Sequence, residues 1–358
     1  MKTNKKRKGV LIELMRHIDI PIIFKIDKDP LDNLVDILKE FNLERKKFLI
    51  MHGAKSSEEI TRKATEPLKF SKRMRVFNNS IKEVKRLEKE IHKENPDFVM
   101  GVGGGRVLDP AKLASTNAGV SFISIPTTLS HDGIASPVSV IDFGNEVQSI
   151  YARMPFGVIV DIGVIQKSPS QNIGAGIGDL IANISAAEDW QLAEKHGKAK
   201  VDYFALLLAR TPALNLLKTG YRDLKDETLL KDLSEGLILS GIAMGIAGNS
   251  RPASGAEHLI SHGLDRILKN RGMHGTQSGI ATIFSLCLRE SDRWKDIKNF
   301  YKKLGLQQRP EDIGVTKEMF LEAVRIAPTT RKDRFTILDI KGKDKKLVSD
   351  VYDETYGS

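Results

Sequence analysis

The sequence predicts an N-terminal α/β nucleotide-binding domain with a parallel sheet and an all-α C-terminal domain. Short runs rich in β-branched residues alternate with amphipathic helical segments between about residues 46 and 126, which is the pattern of βαβ units. After about Asp161 these runs give way to long segments rich in Leu, Ala and Ile. Because 358 residues are many for one hydrophobic core, we predict two domains, 1–162 and 163–358.

The predicted elements of the first domain follow one another closely. We expect strands at 46–51, 74–77, 97–102 and 121–126, and helices at 57–70, 81–95 and 109–118. The second domain begins after the stretch GVIVDIGVIQKSPSQN, whose proline and polar residues indicate a boundary. The polar stretch KGKDKKLVSDVYDETYGS near the C-terminus is predicted to lie at the periphery of this domain.

Composition is that of a globular protein in water, because 41% of the residues are hydrophobic and 28% are charged. The sequence has no run of about 18 apolar residues that would span a membrane. The basic start MKTNKKRKG is followed by VLIEL, which is too short and too acidic for a signal peptide. We therefore expect a cytoplasmic protein without integral membrane association.

Cysteine content and charge limit the possible cellular compartment and the possible binding partners. The only cysteine, Cys287, cannot form an internal disulfide, which fits a reducing compartment. It lies in the apolar stretch ATIFSLCL, where we expect a buried thiol rather than a nucleophile. The net charge of +10 is compatible with nucleic-acid binding, but the basic residues are dispersed among 46 acidic ones and aromatics are only 6%. We therefore expect no nucleic-acid partner.

Three consecutive glycines, 103–105, lie between the third predicted strand and the helix that follows it. Glycines at such a turn let backbone N–H groups approach a pyrophosphate, and the helix N-terminus adds a partial positive charge. The spacing is not GxGxxG, so a simple connecting turn is the alternative. Asp109 is a further cofactor candidate, with a helix N-cap as its alternative. Pro110 is expected in the first helical turn, and Lys112 is either functional or a solvated charge.

A polar loop, SIPTTLSHDGIASPVSVI, follows the fourth predicted strand. Open α/β sheets bind ligands at the carboxyl ends of their strands. Thr127, Thr128 and Ser130 offer hydroxyl groups to a cofactor, and Asp132 offers a carboxylate beside His131. The alternative is a turn held by its own hydrogen bonds, which this composition also favours.

A group of histidines and acids in the second half has the composition of a metal site. His258 and His262 are four residues apart, hence on one face of a helix, and His274 follows sixteen residues after the first. Asp179 stands at the predicted start of a helix, where capping is the alternative to metal binding, and Asn183 would face the same cleft one turn later. One aspartate and two histidines suit Zn²⁺ with an open coordination position. Unrelated surface histidines are the alternative.

Taken together and in order, these motifs resemble those of a known family. The matching stretches, between residue 101 and about residue 339, are GVGGGRVLDPAK, SIPTTLSHDGIASPVSV, GIGDLIAN, SRPASGAEHLISHGLD, MHGTQSGIAT and, more loosely, RKDRFTILD. The chain resembles the glycerol dehydrogenase-like branch of the iron-containing alcohol dehydrogenase superfamily, related in fold to dehydroquinate synthases. Within that branch it is most similar to the sn-glycerol-1-phosphate dehydrogenases.

The resemblance implies roles for the residues singled out above. The metal ligands would be Asp179, His258 and His274. His262 would lie at the substrate and transfer the proton, with Asp132 as the second catalytic candidate. The glycine loop, Thr127 and Ser130 would bind the nicotinamide cofactor. Asp132, Asp179, Asn183, Arg251 and His262 would together bind the substrate.

The resemblance also implies a reaction: zinc-dependent, reversible reduction of dihydroxyacetone phosphate to sn-glycerol 1-phosphate, the lipid backbone of archaea, in a homo-oligomer. Arg251 is the candidate for the phosphate, with an exposed loop arginine as its alternative. His52, Gly53 and Lys55 follow the first predicted strand without a ribose-binding acid, so both NADH and NADPH are expected to work. Rival functions are a glycerol dehydrogenase on unphosphorylated polyols, a lyase of the dehydroquinate synthase type, and a non-enzymatic anion- or nucleic-acid-binding protein.

Overall fold

The computed structural model describes residues 19–144, 146–268 and 272–357. The N-terminal stretch that we used to argue against a signal peptide lies outside the described residues. Within the described residues, six parallel strands form one sheet with the order β1-β8-β5-β4-β2-β3. These strands are β1 Ile23–Asp27, β2 Phe48–His52, β3 Ser71–Arg75, β4 Phe98–Gly103, β5 Ser121–Pro126 and β8 Gly157–Asp161. Strands β6 Val138–Asp142 and β7 Val147–Tyr151 form a separate antiparallel hairpin.

Helices cover the sheet, and in the described residues after Asp161 the regular elements are helical. The helices are α1 Leu34–Glu40, α2 Ser56–Thr65, α3 Ile81–Glu94, α4 Gly105–Asn117, α5 Ile162–Gln166, α6 Ser170–Lys195, α7 Tyr203–Lys218, α8 Glu227–Ala247, α9 Ala256–Ile267, α10 His274–Leu288, α11 Arg293–Leu304, α12 Lys317–Thr330, α13 Ile337–Ile340 and α14 Lys345–Tyr356. The predicted fold class, a parallel-sheet α/β part followed by a helical part, is confirmed. No helix in the described ranges is long and apolar enough to cross a membrane.

The sequence analysis missed four strands: β1, β6, β7 and β8. Strand β8 pairs with β1 on one side and with β5 on the other, and all five of its residues are buried. A strand buried on both faces is a continuous apolar run without alternation, so the sequence analysis placed a domain boundary there instead of a strand. The division into 1–162 and 163–358 itself stays a prediction. Strand β3 lies at Ser71–Arg75, slightly before the predicted 74–77.

The C-terminal helix α14 corrects the prediction of a peripheral polar tail. Its polar residues alternate with a buried face formed by Val348, Val351, Tyr352 and Tyr356. The Tyr356 ring lies 5.7 Å from that of Phe320, and its hydroxyl donates a 2.7 Å hydrogen bond to a carbonyl of α10. The apolar positions are spaced three and four residues apart, the period of a helix that buries one face. The predicted burial of Cys287, on α10, is confirmed.

Candidate active site

The glycine loop forms a tight turn between β4 and α4. Strand β4 ends at Gly103, Gly104 is the N-cap, and α4 begins at Gly105. A Cβ atom added at Gly104 would lie 2.9 Å from Thr128 Oγ1, and one added at Gly105 would lie 2.5 Å from His131 Nε2. Only glycine leaves this space open at the N-terminus of α4, where backbone N–H groups and the helix dipole favour an anion.

The loop after β5 holds the three hydroxyl residues predicted to bind the cofactor. Thr127, Thr128 and Ser130 are each partly exposed. The backbone N–H of Thr127 donates a 3.0 Å hydrogen bond to the carbonyl of Gly103. The structure therefore brings the two predicted cofactor loops side by side at the carboxyl edge of the sheet.

Asp109 and Lys112 lie inside α4. The alternatives considered for them, a helix N-cap for Asp109 and a solvated charge for Lys112, are both wrong. Because α4 begins at Gly105, Asp109 is not an N-cap and Pro110 is not in the first turn. Lys112 is fully buried rather than solvated, and its ammonium donates to two carbonyl oxygens of the loop after β5 at 2.8 and 3.0 Å. It also lies 3.6 Å from the buried Asp109 carboxylate. Lys112 thus connects α4 by hydrogen bonds to the loop that carries Asp132.

Asp179, His258 and His274 meet at one point. One ligand atom of each lies within 4.8 Å of the others. His258 Nε2 is 3.7 Å from Asp179 Oδ1, and the two imidazole rings are 4.8 Å apart with an interplanar angle of 62°. His262 stacks beside them, 5.8 Å from the ring of His274. A carboxylate and two imidazoles around one point fit a divalent metal with positions left for substrate or water.

Two further hydrogen bonds orient the imidazole rings. His258 Nδ1 lies 3.0 Å from the buried Glu257 carboxylate, and His274 Nδ1 lies 3.0 Å from the Ser261 hydroxyl. That hydroxyl donates to Gln277 Oε1 at 2.7 Å, so its oxygen accepts the proton of His274 Nδ1. Both rings then carry their protons on Nδ1 and leave Nε2 as a metal-binding atom, the arrangement typical of protein metal sites.

Asp179 lies in the middle of α6, so the capping alternative is wrong. Its Oδ2 accepts a 2.9 Å hydrogen bond from the backbone N–H of Asp132. The Asp132 carboxylate in turn accepts a 2.9 Å bond from Ser240. Asn183 is fully buried behind this pair and donates to Ser240 Oγ at 3.0 Å and to the carbonyl of Ala209 at 3.2 Å. Asn183 therefore supports Ser240 and does not face the cleft as predicted.

The cluster is built to hold a cation. Although burial alone would lower it, hydrogen bonds to two carboxylates raise the pKa of His258 to about 9. Burial and the nearby His258 lower the pKa of His274 to about 4. Burial and repulsion by Asp179 raise the pKa of Asp132 to about 7. One positive charge is thus stabilised at His258, between two carboxylates. A second positive charge, on the ring of His274, is not stabilised.

Three arginines lie near one another, and two of them act electrostatically on His262. This arginine cluster consists of Arg251, before α9, and of Arg331 and Arg334, between α12 and α13. Arg334 is only 4% exposed, and its guanidinium donates to the carbonyl of Ser254. Burial, followed by the like charges of Arg331 and Arg251, lowers the pKa of Arg334 to about 9. Guanidinium groups near one another repel, and the Asp333 carboxylate, 3.5 Å from Arg331 Nε, offsets this only in part.

The arginine cluster also affects His262. Burial and the nearby histidines lower its pKa to about 2, and Arg331 and Arg334 act in the same direction. Arg251 donates to the Asp333 carbonyl at 2.6 Å, so the predicted phosphate residue is held in the arginine cluster. An anion bound there would act to raise the pKa of His262.

The carboxyl ends of β2 and β3 lie at the same edge of the sheet as the glycine loop, on the side of β4 away from β5. His52, the last residue of β2, is buried, and its Nδ1 lies 2.7 Å from the carbonyl of Gly53. Arg75, the last residue of β3, pairs with His52 in the sheet register. Lys55 is the N-cap of α2. Cationic side chains therefore stand where a strictly NAD-selective site would carry an acid.

Six residues of the site were not predicted from sequence: Ser240, Glu257, Ser261, Gln277, Arg331 and Arg334. Ser261 and Gln277 each follow a histidine of the metal cluster by three residues in a helix, a spacing that puts both on the histidine's face. That signal was available. Ser240 lies 108 residues from its partner Asp132, and no local pattern connects them.

We expect Glu257→Gln to weaken zinc binding about 10- to 100-fold, because an amide at this position no longer orients the His258 ring as the carboxylate does. Zinc titration of metal-depleted protein measures this. Glu290→Gln is the control, since Glu290 pairs with Lys341 on the surface. Equal zinc affinities in the wild type and Glu257→Gln would show that Glu257 does not support the ligand.

Comparisons with known proteins agree with this fold. The family described as iron-containing alcohol dehydrogenase matches residues 25–169. Solved structures share the fold: a probable glycerol dehydrogenase from Sinorhizobium meliloti 1021 has a TM-score of 0.74 at 20% identity, with 94% of this chain and 97% of that one covered.

Relatives found by sequence similarity indicate a narrower family than the fold does. A protein from Thermococcus sibiricus named glycerol-1-phosphate dehydrogenase [NAD(P)+] is 36% identical over 341 residues, 94% of this chain and 97% of its own. One of the same name from Nitrosopumilus maritimus is 40% identical over 273 residues, 76% of this chain and 77% of its own. With this identity over nearly its whole length, the chain belongs to the glycerol-1-phosphate dehydrogenase family of oxidoreductases.

Proposed function

We propose that this protein catalyses the reversible, NAD(P)H-dependent reduction of dihydroxyacetone phosphate to sn-glycerol 1-phosphate. The observation that carries the proposal is the arginine cluster, which stands next to the metal-type cluster of Asp179, His258 and His274. A substrate with a carbonyl at one end and a phosphate at the other matches these two groups in charge and chemistry. An unphosphorylated polyol would add no anion to these three guanidinium groups, of which Arg334 is buried and Arg331 has Asp333 Oδ1 at 3.5 Å.

Asp179, His258 and His274 would hold the metal, which we propose to be Zn²⁺. When bound there, such an ion supplies Lewis-acid polarisation of the substrate carbonyl. A nicotinamide cofactor supplies the hydride. We propose that its pyrophosphate lies at the glycine loop, Gly103 to Gly105, and its nicotinamide half along Thr127, Thr128 and Ser130, with Asp109 beneath them.

The chain's own residues position the substrate and move the proton. The guanidinium groups of the arginine cluster would bind the phosphate by charge-assisted hydrogen bonds. The charges of both the metal-type cluster and the arginine cluster act on His262, and we propose that it delivers the proton to the reduced oxygen, directly or through water. Asp132, held by Ser240 and bonded through its backbone to Asp179, is the alternative.

The test compares dihydroxyacetone phosphate with dihydroxyacetone. We expect kcat/KM to favour the phosphorylated substrate by about 10- to 100-fold or more, since hydrogen bonds to charged groups contribute about 1.5–3 kcal/mol each. Arg251→Gln should lose about 10- to 100-fold in kcat/KM for the phosphorylated substrate only. Arg325→Gln is the control, because Arg325 pairs with Glu322 on the surface. Equal kcat/KM for both substrates in the wild type would favour a glycerol dehydrogenase.

Cofactor choice is a separate prediction. Because no acid follows β2 and Arg75 lies beside His52, we expect both NADH and NADPH to support turnover. Steady-state kinetics with each cofactor measures this. A preference for NADH of about a hundredfold or more, equivalent to about 2.7 kcal/mol, would contradict it. Net oxidation of added cofactor also separates a dehydrogenase from a lyase of the dehydroquinate synthase type.

We further propose that the product serves as a glycerophosphate backbone for lipids of the archaeal type, and that the protein works in the cytoplasm as a homo-oligomer. The chirality of the product is the sharpest test of the lipid role. Enzymatic analysis of the product formed from dihydroxyacetone phosphate distinguishes sn-glycerol 1-phosphate from its enantiomer, and formation of the enantiomer would contradict the proposal.

A further inference from the structure

One buried carboxylate outside the metal-type cluster connects the two halves of the site. Asp189 lies on α6, the helix that also carries Asp179, and only 2% of it is exposed. Its Oδ2 accepts a 2.7 Å hydrogen bond from the backbone N–H of Ala256. Its Oδ1 accepts a 2.7 Å bond from the backbone N–H of Ile337 and another from the guanidinium of Arg289. Both oxygens of the carboxylate are therefore used.

The two backbone donors are the first residues of two helices. Ala256 begins α9, whose side chains Glu257 and His258 follow immediately. Ile337 begins α13 and follows Arg334 by three residues. A carboxylate at a helix N-terminus satisfies free N–H groups and interacts favourably with the helix dipole. Asp189 accepts the first N–H of both helices from one side chain, and the dipole adds to this at the longer helix, α9.

Arg289 makes this arrangement possible at a buried position. Its guanidinium contacts Asp189 on α6 and lies 3.3 Å from the Glu188 carboxylate. A buried carboxylate without a cation would be strongly unfavourable. Substitution of Asp189 by asparagine keeps the volume but leaves one acceptor oxygen in place of two. Its amide group must then face at least one of the two N–H donors.

We propose that Asp189 is a positioning residue that fixes the start of α9 relative to the stretch 331–337, which carries Arg331 and Arg334 and ends at the start of α13. Through these two bonds it holds the metal ligand His258 and the phosphate residue Arg334 in register. This inference rests on the proposed function, which assigns those two residues to a metal and a phosphate. It predicts that one carboxylate, in contact with neither ligand, affects the binding of both.

The first experiment measures Asp189→Asn in the full chain. We expect the Kd for zinc to rise about tenfold, as for other residues that orient ligands. We also expect the ratio of kcat/KM for dihydroxyacetone phosphate to that for dihydroxyacetone to fall about tenfold, equivalent to about 1.4 kcal/mol. The Kd for NADH, measured by fluorescence, should stay unchanged. Asp344→Asn is the matched control, because Asp344 caps α14, which carries no residue of the site.

A second pair of variants separates the two bonds and does not depend on how well Asp189→Asn folds. Ile337→Pro removes the N–H donor at the first position of α13, where proline is tolerated, and Ile337→Ala keeps it. We expect the substrate ratio to fall in Ile337→Pro relative to Ile337→Ala, with equal zinc affinity in both. Equal ratios in the two variants would overturn the inference.

The remaining outcomes are also decisive. The inference is overturned if Asp189→Asn leaves the zinc Kd unchanged, or if it weakens NADH binding as much as zinc binding, since that indicates a general structural defect. If the wild type itself does not prefer the phosphorylated substrate, the proposed function fails. In that case the zinc affinities of Asp189→Asn and Asp344→Asn still decide the contribution of Asp189 to the metal site.

Discussion

Replacement of His258 or His274 by alanine is expected to abolish zinc binding and turnover at micromolar zinc, whereas His262→Ala keeps the metal. Structural zinc sites bind with about 10–16 kcal/mol. If three side chains share this binding, the loss of one costs about 3–5 kcal/mol, or on the order of 10²- to 10⁴-fold in Kd. Metal analysis of the purified variants and zinc titration of metal-depleted protein measure the effect.

His262→Ala is the matched control, because His262 lies on the same helix as His258 and stacks on His274. We expect this variant to lose kcat while its zinc content stays at one per chain. Metal loss in His262→Ala equal to that in His258→Ala would contradict the division of roles. Full turnover in His262→Ala would instead transfer the proton step to Asp132, and Asp132→Asn then becomes the deciding variant.

The second large effect is expected from Gly275→Ala. Helices α6 and α10 cross so closely that a Cβ atom at Gly275 would overlap the carbonyl oxygen of Ala175, and one at Gly178 would overlap that of Gly275. A backbone carbonyl cannot rotate away as a side chain can, so the helices must separate. Overpacking of this kind costs about 1–3 kcal/mol in the free energy of unfolding.

The separation would also move two metal ligands apart, because Asp179 directly follows Gly178 and His274 directly precedes Gly275. We expect Gly275→Ala to lower both the denaturation midpoint and the zinc affinity. Gly220→Ala is the control, since the nearest atom to a Cβ at that position is the flexible end of Lys303, 3.9 Å away. A Gly275→Ala protein with wild-type zinc affinity would show that the crossing does not set the ligand geometry.

The same glycines explain one error of the sequence analysis. The stretch GAGIGD suggests a turn because glycines are unfavourable within helices, so Asp179 was placed near a helix start. In the structure these residues lie inside a 26-residue helix. The close approach of α10 requires small residues there, and a contact between distant segments outweighs the local preference. The histidine pair on α9 was predicted correctly because its spacing within one helix is a local property.

The residues that sequence reasoning missed share a physical reason. Lys112 was considered a possible solvated charge because most lysines are, and its burial depends on carbonyl groups of a loop that folds back over α4. Ser240 and Asp189 act through partners far away in sequence. Of the arginine cluster only Arg251 was predicted, because it is close to His258 in sequence. Arg334 lies about seventy residues after the end of α9. Local spacing predicts the metal-type cluster, and only the fold connects it to the arginine cluster.

The close crossing of α6 and α10 has a consequence for how this site can diversify. Two of the proposed metal ligands are adjacent to glycines whose substitution would displace backbone, so this part of the site tolerates little sequence change. The arginine cluster and the turn after β2 lie on loops, where side chains can be exchanged without moving a helix. New substrate or cofactor preferences are therefore accessible through loop substitutions, while the positions of the proposed metal ligands Asp179 and His274 stay constrained by the helix crossing.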